Sequence, residues 1–374
     1  MAGSDCIVVG GGLCGMLSAA LLRAAGARVL LVEQNRVGEG PPAVEAGLLG
    51  LTHPWRDPLP VSALAHRGRK VYPEFLADLC EFTEIDLGYY EGPVLVLDSA
   101  ERQVALDWSA RHGCEVSDLT PWKDDGGHDT AAVTMAGAGL MVGHVPRVRG
   151  DAMLRALRRG LELQGVELME GVAACGLLQQ RGSVGGVVTE HGAIDAEQVV
   201  LACGDGIVAL LRALQQSPTL SASDRELAVY EGDIDVAEGV VAYGGAVMIL
   251  ASDAAYLEYD AGSVGWEQAK RLSGFLGARS SSPSSAWQIR HLATADAVPC
   301  VGEHPELPGL FLNVGHAGHA GATGLPGAHL LLELMTQQTP SLDPTPYRVD
   351  RQLGEPRLGR ATAPMNQAPL DSSP

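Results

Sequence analysis

Residues 6–33 read CIVVGGGLCGMLSAALLRAAGARVLLVE, and their order decides the fold. Cys6 to Val9 is a short apolar run ending in glycines, the pattern of a strand buried in a parallel sheet. From Leu13 to Ala25 the composition is helical, with Met16, Leu17, Ala20 and Leu21 on one face and Gly26 placed to stop the helix. Val29 to Val32 is a second buried strand, closed by Glu33. The stretch is therefore a β-α-β unit. Gly10-Gly11-Gly12-Leu13-Cys14-Gly15 has the G-x-G-x-x-G spacing in the context that gives it meaning. It follows a strand, opens a helix, and is followed at about twenty residues by an acid, Glu33. Gly10 permits the tight turn, Gly12 lets a pyrophosphate approach the backbone, and Gly15 lets helix and strand pack closely. The free N–H groups and partial positive charge of the helix start favour an anion there. Glu33 can accept hydrogen bonds from ribose hydroxyls, and its charge would repel a 2′-phosphate, which disfavours NADP.

NAD and FAD enzymes share this fingerprint, and one copy is present. Gly137-Ala138-Gly139 continues as Leu140-Met141-Val142-Gly143, with the wrong spacing for a second. A flavin reductase that draws on a pyridine nucleotide would need that second site. Either NAD binds alone, or FAD binds alone and meets its electron acceptor directly.

Composition narrows the partners. The 374 residues include 26 Lys plus Arg against 45 Asp plus Glu, a formal net charge of −19 that repels nucleic acid and an anionic membrane surface. Hydrophobic residues make up 46%, enough for a large core and against global disorder. The uncharged stretch Cys6–Leu22 is short of a membrane span, holds four glycines and follows Asp5 rather than a basic cluster, so neither a membrane helix nor a signal peptide is expected. The seven cysteines are scattered, odd in number and lack Cys-x-x-Cys spacing; a reducing cytoplasm is the expected compartment, and no disulfide framework or zinc site is expected. His316 and His319 stand three apart, but among glycines and without an acid or thiol cluster, so no metal site is expected there.

Further helices are expected near 60–82, at 151–164 with Asp151 as N-cap, at about 266–276 and from about Pro326 to Met335. Strands are expected at 166–169, 184–189, 193–202, 239–250, 255–259 and 310–314. The last twenty residues, rich in Pro, Gln and Ser, are expected to be mobile.

The chain resembles the D-amino-acid oxidase-like flavoproteins, above all their glycine oxidase and sarcosine oxidase branch. Four blocks carry the likeness: the first β-α-β unit; Ala46-Gly47-Leu48-Leu49, similar to an Ala-Gly-Met segment beside the flavin; 151–172 with the VVLACGDG stretch at 199–206; and 287–326. The last is similar to Arg-Pro-x-Thr-x-Asp-x-x-Pro-x-Ile-Gly followed by a Gly-His-x-x-x-Gly turn.

The resemblance implies an α/β protein with a discontinuous Rossmann-like FAD-binding domain (1–85, 145–215, 290–340), an inserted α+β substrate domain (86–144, 216–289) and a partly disordered tail (341–374). It implies FAD as the cofactor. Gly10, Gly12, Leu13, Cys14, Gly15, Glu33 and Gln34 would hold its ADP half, with backbone bonds from Val172 to the adenine. Ala46, Gly47, Leu48, Gly204, Gly315, Gly318 and Gly321 would line the remainder. Arg290 would bind a substrate carboxylate as a planar fork, His316 would lie beside the flavin, and Tyr243 would face the substrate, with Tyr256 and Tyr259 as alternatives. The implied reaction is oxidation of the Cα–N bond of a small amino acid or secondary amine, with O2 as acceptor and peroxide as product. An amine dehydrogenase with another acceptor and a non-catalytic flavoprotein subunit are the alternatives. A homo-oligomer is compatible with the sequence.

Overall fold

The computed structural model describes residues 4–39, 47–97, 100–118, 139–212, 214, 218–232, 238–251, 254–274, 276 and 282–351. Ala46 and the last twenty residues lie outside them.

The apolar run before the glycines forms β1 (Ser4–Val9), which pairs in parallel with β2 (Val29–Glu33) on one side and β9 (Gly192–Leu201) on the other. Helix α1 (Leu13–Ala24) makes the crossover. The sheet continues outward through β6 (Glu167–Glu170) beyond β2, and through β16 (Leu310–Val314) and β15 (Cys300–Glu303) beyond β9. The hairpin β7 (Ala174–Gln180) and β8 (Ser183–Thr189) joins it at β9. Alternate residues of β1 serve opposite cores. Cys6 and Val8 pack under α1, α2 (Leu59–Thr83), α4 (Gly150–Gln164) and α7 (Ala320–Met335). Ile7 and Val9 face the β7–β8 side and the short α5 (Ile207–Leu211).

A second sheet runs β14 (Ser285–Thr294), β10 (Leu220–Glu231), β13 (Ala254–Asp260), β12 (Ala246–Leu250), β11 (Gly239–Tyr243), β3 (Tyr90–Val96), β5 (Leu140–Arg147) and β4 (Val116–Asp118). Along β10, Ala228 and Tyr230 face α6 (Ser263–Ser273), while Leu227 and Val229 share the opposite core with Ala105 of α3 (Arg102–His112). Leu48, Trp55 and Ile289 pack against that opposite core.

Several expected boundaries move. The run 239–250 is two strands around a Gly244-Gly245 turn. Asp151 is not the N-cap of α4; Arg149 is, and Asp151 sits in the first turn paired with Arg155. Helix α7 starts at Ala320, six residues before Pro326. Strand β14 keeps residues up to Thr294 in the second sheet. Residues 341–351 pack onto the body, with Tyr347 buried and its hydroxyl donating to the Pro60 carbonyl at 2.8 Å.

One ion pair fixes the segment that follows β2. Glu170 accepts from Arg158 Nη1 and Nη2 and from the Val37 N–H, and Arg158 donates to the Val37 carbonyl. The Arg158 guanidinium, aided by the Val37 N–H, pulls the Glu170 carboxyl down to about 2. A folded-state pKa below the unfolded one contributes stability above the unfolded value and loses it as pH falls through the folded value. The pair is partly solvated, so its worth is about 1 kcal/mol, present at pH 7 and lost between about pH 4.5 and 2. Glu170→Gln is expected to lower stability by about that amount at neutral pH and to match the parent near pH 2, as read by urea unfolding across pH.

Candidate active site

Helix α1 begins at the carboxyl end of β1 with Gly12 as its N-cap and no side-chain cap bond. Its first N–H groups are therefore left for an external acceptor. A Cβ on Gly12 would meet nothing within 4 Å, because the residue borders an open cleft. Gly15 is the reverse case, since a Cβ there would lie 1.9 Å from the Gly10 carbonyl oxygen. Glu33 is held in place by the N–H groups of Gly11 at 2.7 Å and Asn35 at 2.8 Å. Each of its oxygens has a second lone pair for a further donor.

The cleft, about 300 Å³, runs from Gly11, Gly12, Leu13 and Cys14 past Ala202 and Gly204 to the turn Gly315–Gly318. It lies at the carboxyl ends of β1, β9 and β16, where the chain departs in opposite directions from the middle of the sheet, the usual ligand crevice of such sheets. In the far turn, Gly315 (φ 80°), Ala317 (φ 51°) and Gly318 (φ 87°) have left-handed backbones. The turn is tied to β14 by the Ala317 N–H on the Leu292 carbonyl at 3.2 Å. It delivers the start of α7, whose N-cap His319 makes no side-chain cap bond. The cleft thus passes between two helix starts, each the positive end of a dipole.

A second cavity, about 220 Å³, adjoins it, and the two share Glu258, His291, Ala317 and Gly318. Its wall is polar. Arg225 of β10 places Nε 2.6 Å from Glu258 Oε1 and Nη1 2.6 Å from Asp260, and donates from Nη2 to the Gly245 carbonyl at 2.9 Å. His291 Nε2 lies 3.6 Å from the same Glu258 oxygen. Asp57 lies 3.0 Å from His319 Nε2. His53 is neutral at physiological pH, since burial first, then Arg56 and His319, push it down to about 3. A larger apolar groove of about 670 Å³, lined by Leu21, Phe75, Phe82 and Leu157, lies on the helical face of the first sheet and touches none of these residues.

The expected site residues are distributed unevenly. Gly12, Leu13, Cys14, Gly204, Gly315 and Gly318 border the cleft. Gly10 and Gly15 are close-packed against backbone and do not line it, and Gln34 is exposed beyond Glu33. Gly47 donates no contact to the cleft but packs under the Val148 carbonyl, while Leu48 borders the second cavity. Gly321 is buried in the first turn of α7, where its carbonyl accepts from Tyr72. The Val172 N–H is taken by the Glu33 carbonyl at 3.0 Å, so it is not offered to an adenine.

Two expectations, those for Tyr243 and Arg290, need correction, and His316 has a structural tie beside its place on the cleft border. His316 borders the cleft, but Nδ1 is 2.8 Å from Thr323 Oγ1 and Nε2 is 3.0 Å from Asn313 Oδ1. With Asn313 donating to Ser18 and Ser18 to the Cys14 carbonyl, it belongs to a buried polar chain joining α7 to α1. Tyr243 lies on the α6 side of its sheet, its ring under Arg271 at 4.5 Å and its hydroxyl accepting from Arg271 Nη1. Tyr259 also faces α6, whereas Tyr256 packs on the opposite core. Arg290 is not in a dry pocket. It is 55% exposed at the cleft border, with Nε on Asp224 at 2.9 Å and Nη1 3.7 Å from Asp205.

The offset of Arg290 has a simple cause. Thr294, Asp296, Pro299 and Gly302 match the quoted motif in spacing, and counting three residues back from Thr294 gives His291, not Arg290. A shift of one residue on a strand reverses the face. Arg225 and Glu258 escaped the sequence reading altogether. Their signal was a charge at an inward position of an otherwise apolar alternation, visible only once strand pairing is known.

Residues 5–334 match the family model described as DAO, FAD dependent oxidoreductase. The chain belongs to that family. Its cofactor is FAD, and the cleft fits it: Gly12 leaves the space a pyrophosphate needs, with Gly11, bonded to Glu33, at one end and the α7 start at the other. The chain is 27% identical over 368 residues to glycine oxidase of Pseudomonas putida, covering 93% of this chain and 99% of that one. It is 28% identical over 362 residues to glycine oxidase of Pseudomonas aeruginosa, covering 91% and 97%. Among solved structures, glycine oxidase of Geobacillus kaustophilus superposes with a TM-score of 0.81 at 20% identity, over 94% of this chain and 99% of that one. Iminodiacetate oxidase of Chelativorans gives 0.76 at 17%, over 92% and 98%. These two likenesses establish the α/β fold. Among the described residues, no helix is long and apolar enough to cross a membrane, and no group of three or more His, Cys, Asp or Glu could hold a metal ion.

Proposed function

We propose that the protein oxidises the Cα–N bond of a small amine, the class that includes amino acids and secondary amines, with oxygen as acceptor. The observation that carries this reading is the junction of the two cavities. A groove lined for a dinucleotide opens, at Glu258, His291, Ala317 and Gly318, into a polar chamber of about 220 Å³. The full-length likeness to enzymes named glycine oxidase supports it. When bound, FAD would supply a two-electron acceptor for the hydride of the substrate carbon, the imine so formed would be hydrolysed by water, and oxygen would take up the two electrons and become hydrogen peroxide.

The chain's own part is binding and orientation. The uncapped N–H groups of α1 would hold the pyrophosphate, and the start of α7 supplies positive potential at the far end of the cleft. Glu258, 5% exposed, accepts a hydrogen bond from the substrate nitrogen. His53, neutral and buried against Trp55, keeps one wall rigid without adding charge. Fixing the reacting carbon at near-attack distance supplies most of the acceleration such a site can offer.

The expected result is a yellow protein whose flavin is bleached anaerobically by a small amine and recovers in air with one peroxide per turnover. Bleaching without peroxide would make it a dehydrogenase. No bleaching by any amine of a broad panel would leave a flavoprotein that does not oxidise amines.

A further inference from the structure

Glu258 and Asp57 line the substrate chamber, and every guanidinium bordering either cavity is already matched by a carboxylate. Among the described residues these are three. Arg225 faces both Glu258 and Asp260 and spends its third nitrogen on the Gly245 carbonyl. Arg56 donates to Glu101 at 2.7 Å and to the Gly244 carbonyl. Arg290 lies against Asp224 and Asp205 on the border of the cleft. No described lysine lines either cavity. A fork draws a substrate carboxylate most strongly when its charge is not already matched. Here each guanidinium already faces one or two carboxylates, and the residue at the arginine position of the quoted motif is His291, itself 3.6 Å from Glu258.

Arg56 and Arg225 face Glu101, Glu258 and Asp260, and Asp57 adds a fourth acid to two guanidinia, so a carboxylate entering this chamber would lose its water where acids outnumber guanidinia. Desolvating a charge without a partner is costly, and like charges placed together add to the cost. An N–H donor gains instead, because both acids are acceptors and Glu258 is almost fully buried. From this we infer that the chamber selects amines that carry no free α-carboxylate, such as α-amino amides or simple secondary amines, over the corresponding amino acids. The inference rests on the amine-oxidation reading and narrows its substrate class.

The test separates recognition from turnover by using ligands that cannot be oxidised. Methoxyacetamide and methoxyacetate are isosteres of sarcosinamide and sarcosine without the reacting nitrogen. Their binding to the FAD-loaded protein is read from the flavin difference spectrum at neutral pH. The amide is expected to bind at least about tenfold more tightly than the acid. Glu258→Gln keeps the shape and removes the nearest negative charge, so the acid should gain at least about tenfold in that variant and the amide much less. Tighter binding of methoxyacetate than of methoxyacetamide to the parent would overturn the inference, and so would an unchanged acid affinity in Glu258→Gln. Preference for the amide together with a flavin that no amine reduces would sustain the recognition and refute the amine-oxidase reading alone.

Discussion

Replacing Gly15 with alanine should give a protein that neither packs nor holds FAD, whereas Gly12→Ala should fold normally and fail only at the cofactor. The two glycines belong to one motif but face different neighbours. A Cβ on Gly15 would lie 1.9 Å from the Gly10 oxygen and 3.0 Å from the Gly10 carbonyl carbon. Both are backbone atoms of the β1–α1 turn, so relief requires α1 to move off the sheet. Overpacking of a well-filled site costs about 1–3 kcal/mol, and a clash with backbone belongs at the upper end. The same movement pulls the uncapped N–H groups of α1 away from the cleft. Gly12 has an extended backbone, φ −76° and ψ −177°, which any residue adopts. Its added methyl meets no protein atom and projects into the space reserved for the pyrophosphate. The flavin-stripped Gly12→Ala protein should therefore melt with the stripped parent while losing at least about tenfold in FAD affinity. Thermal unfolding of the stripped proteins and flavin titration give the four numbers required. Full flavin affinity in Gly12→Ala would show that the dinucleotide does not pass over the start of α1.

The cofactor side of the molecule was legible because its determinants are local. β1, α1 and β2 fall within two residues of the boundaries that apolar runs and glycines imply. The spacing from Gly10 to Glu33 is fixed by one crossover, so a linear motif reports a three-dimensional arrangement. Helix α7 was legible in its second half only. Gly321 and Gly324 read as a turn ahead of a helix beginning near Pro326, yet they lie inside the helix, and Gly324 comes close to Cys14 and Leu17 of α1. Tertiary packing there outweighs poor intrinsic propensity. The substrate side resisted reading because face parity and strand pairing are non-local. Arg290, Tyr243 and Arg225 are all plausible polar residues on strands. Which of the two arginines faces the chamber depends on a β10–β13–β14 register that joins residues some thirty to sixty positions apart, as in Arg225 opposite Asp260 and Ile289.

Arg225→Leu is expected to be among the most damaging single changes to the second sheet, and a second mutation should repair most of it. Arg225 and Glu258 are 16% and 7% exposed at the side chain, with 2.6 Å between Nε and Oε1. Removing one member of such a pair leaves the other charged and desolvated, at about 3–5 kcal/mol. Asp260 is 57% exposed and can turn to water, so the penalty concentrates on Glu258. Glu258 cannot leave, since β13 lies inside the sheet between β10 and β12. Its protonation would become the relief available, and the variant should regain stability as pH falls toward the carboxyl range. Replacing both residues, Arg225→Leu with Glu258→Leu, removes the stranded charge, and apolar neighbours such as Leu227 and Val247 then adjoin both sites. The double variant should recover at least about 2 kcal/mol over Arg225→Leu, a coupling far above what independent sites show. It should also recover its FAD, since neither side chain supports the α1 start. It should not recover amine-dependent bleaching, because the acceptor at the junction of the cavities is gone. Denaturant unfolding measures the first outcome, flavin content the second and anaerobic reduction the third. Additive losses of stability in the double variant would mean that the two residues do not act as a pair, while retained bleaching would remove Glu258 from substrate binding.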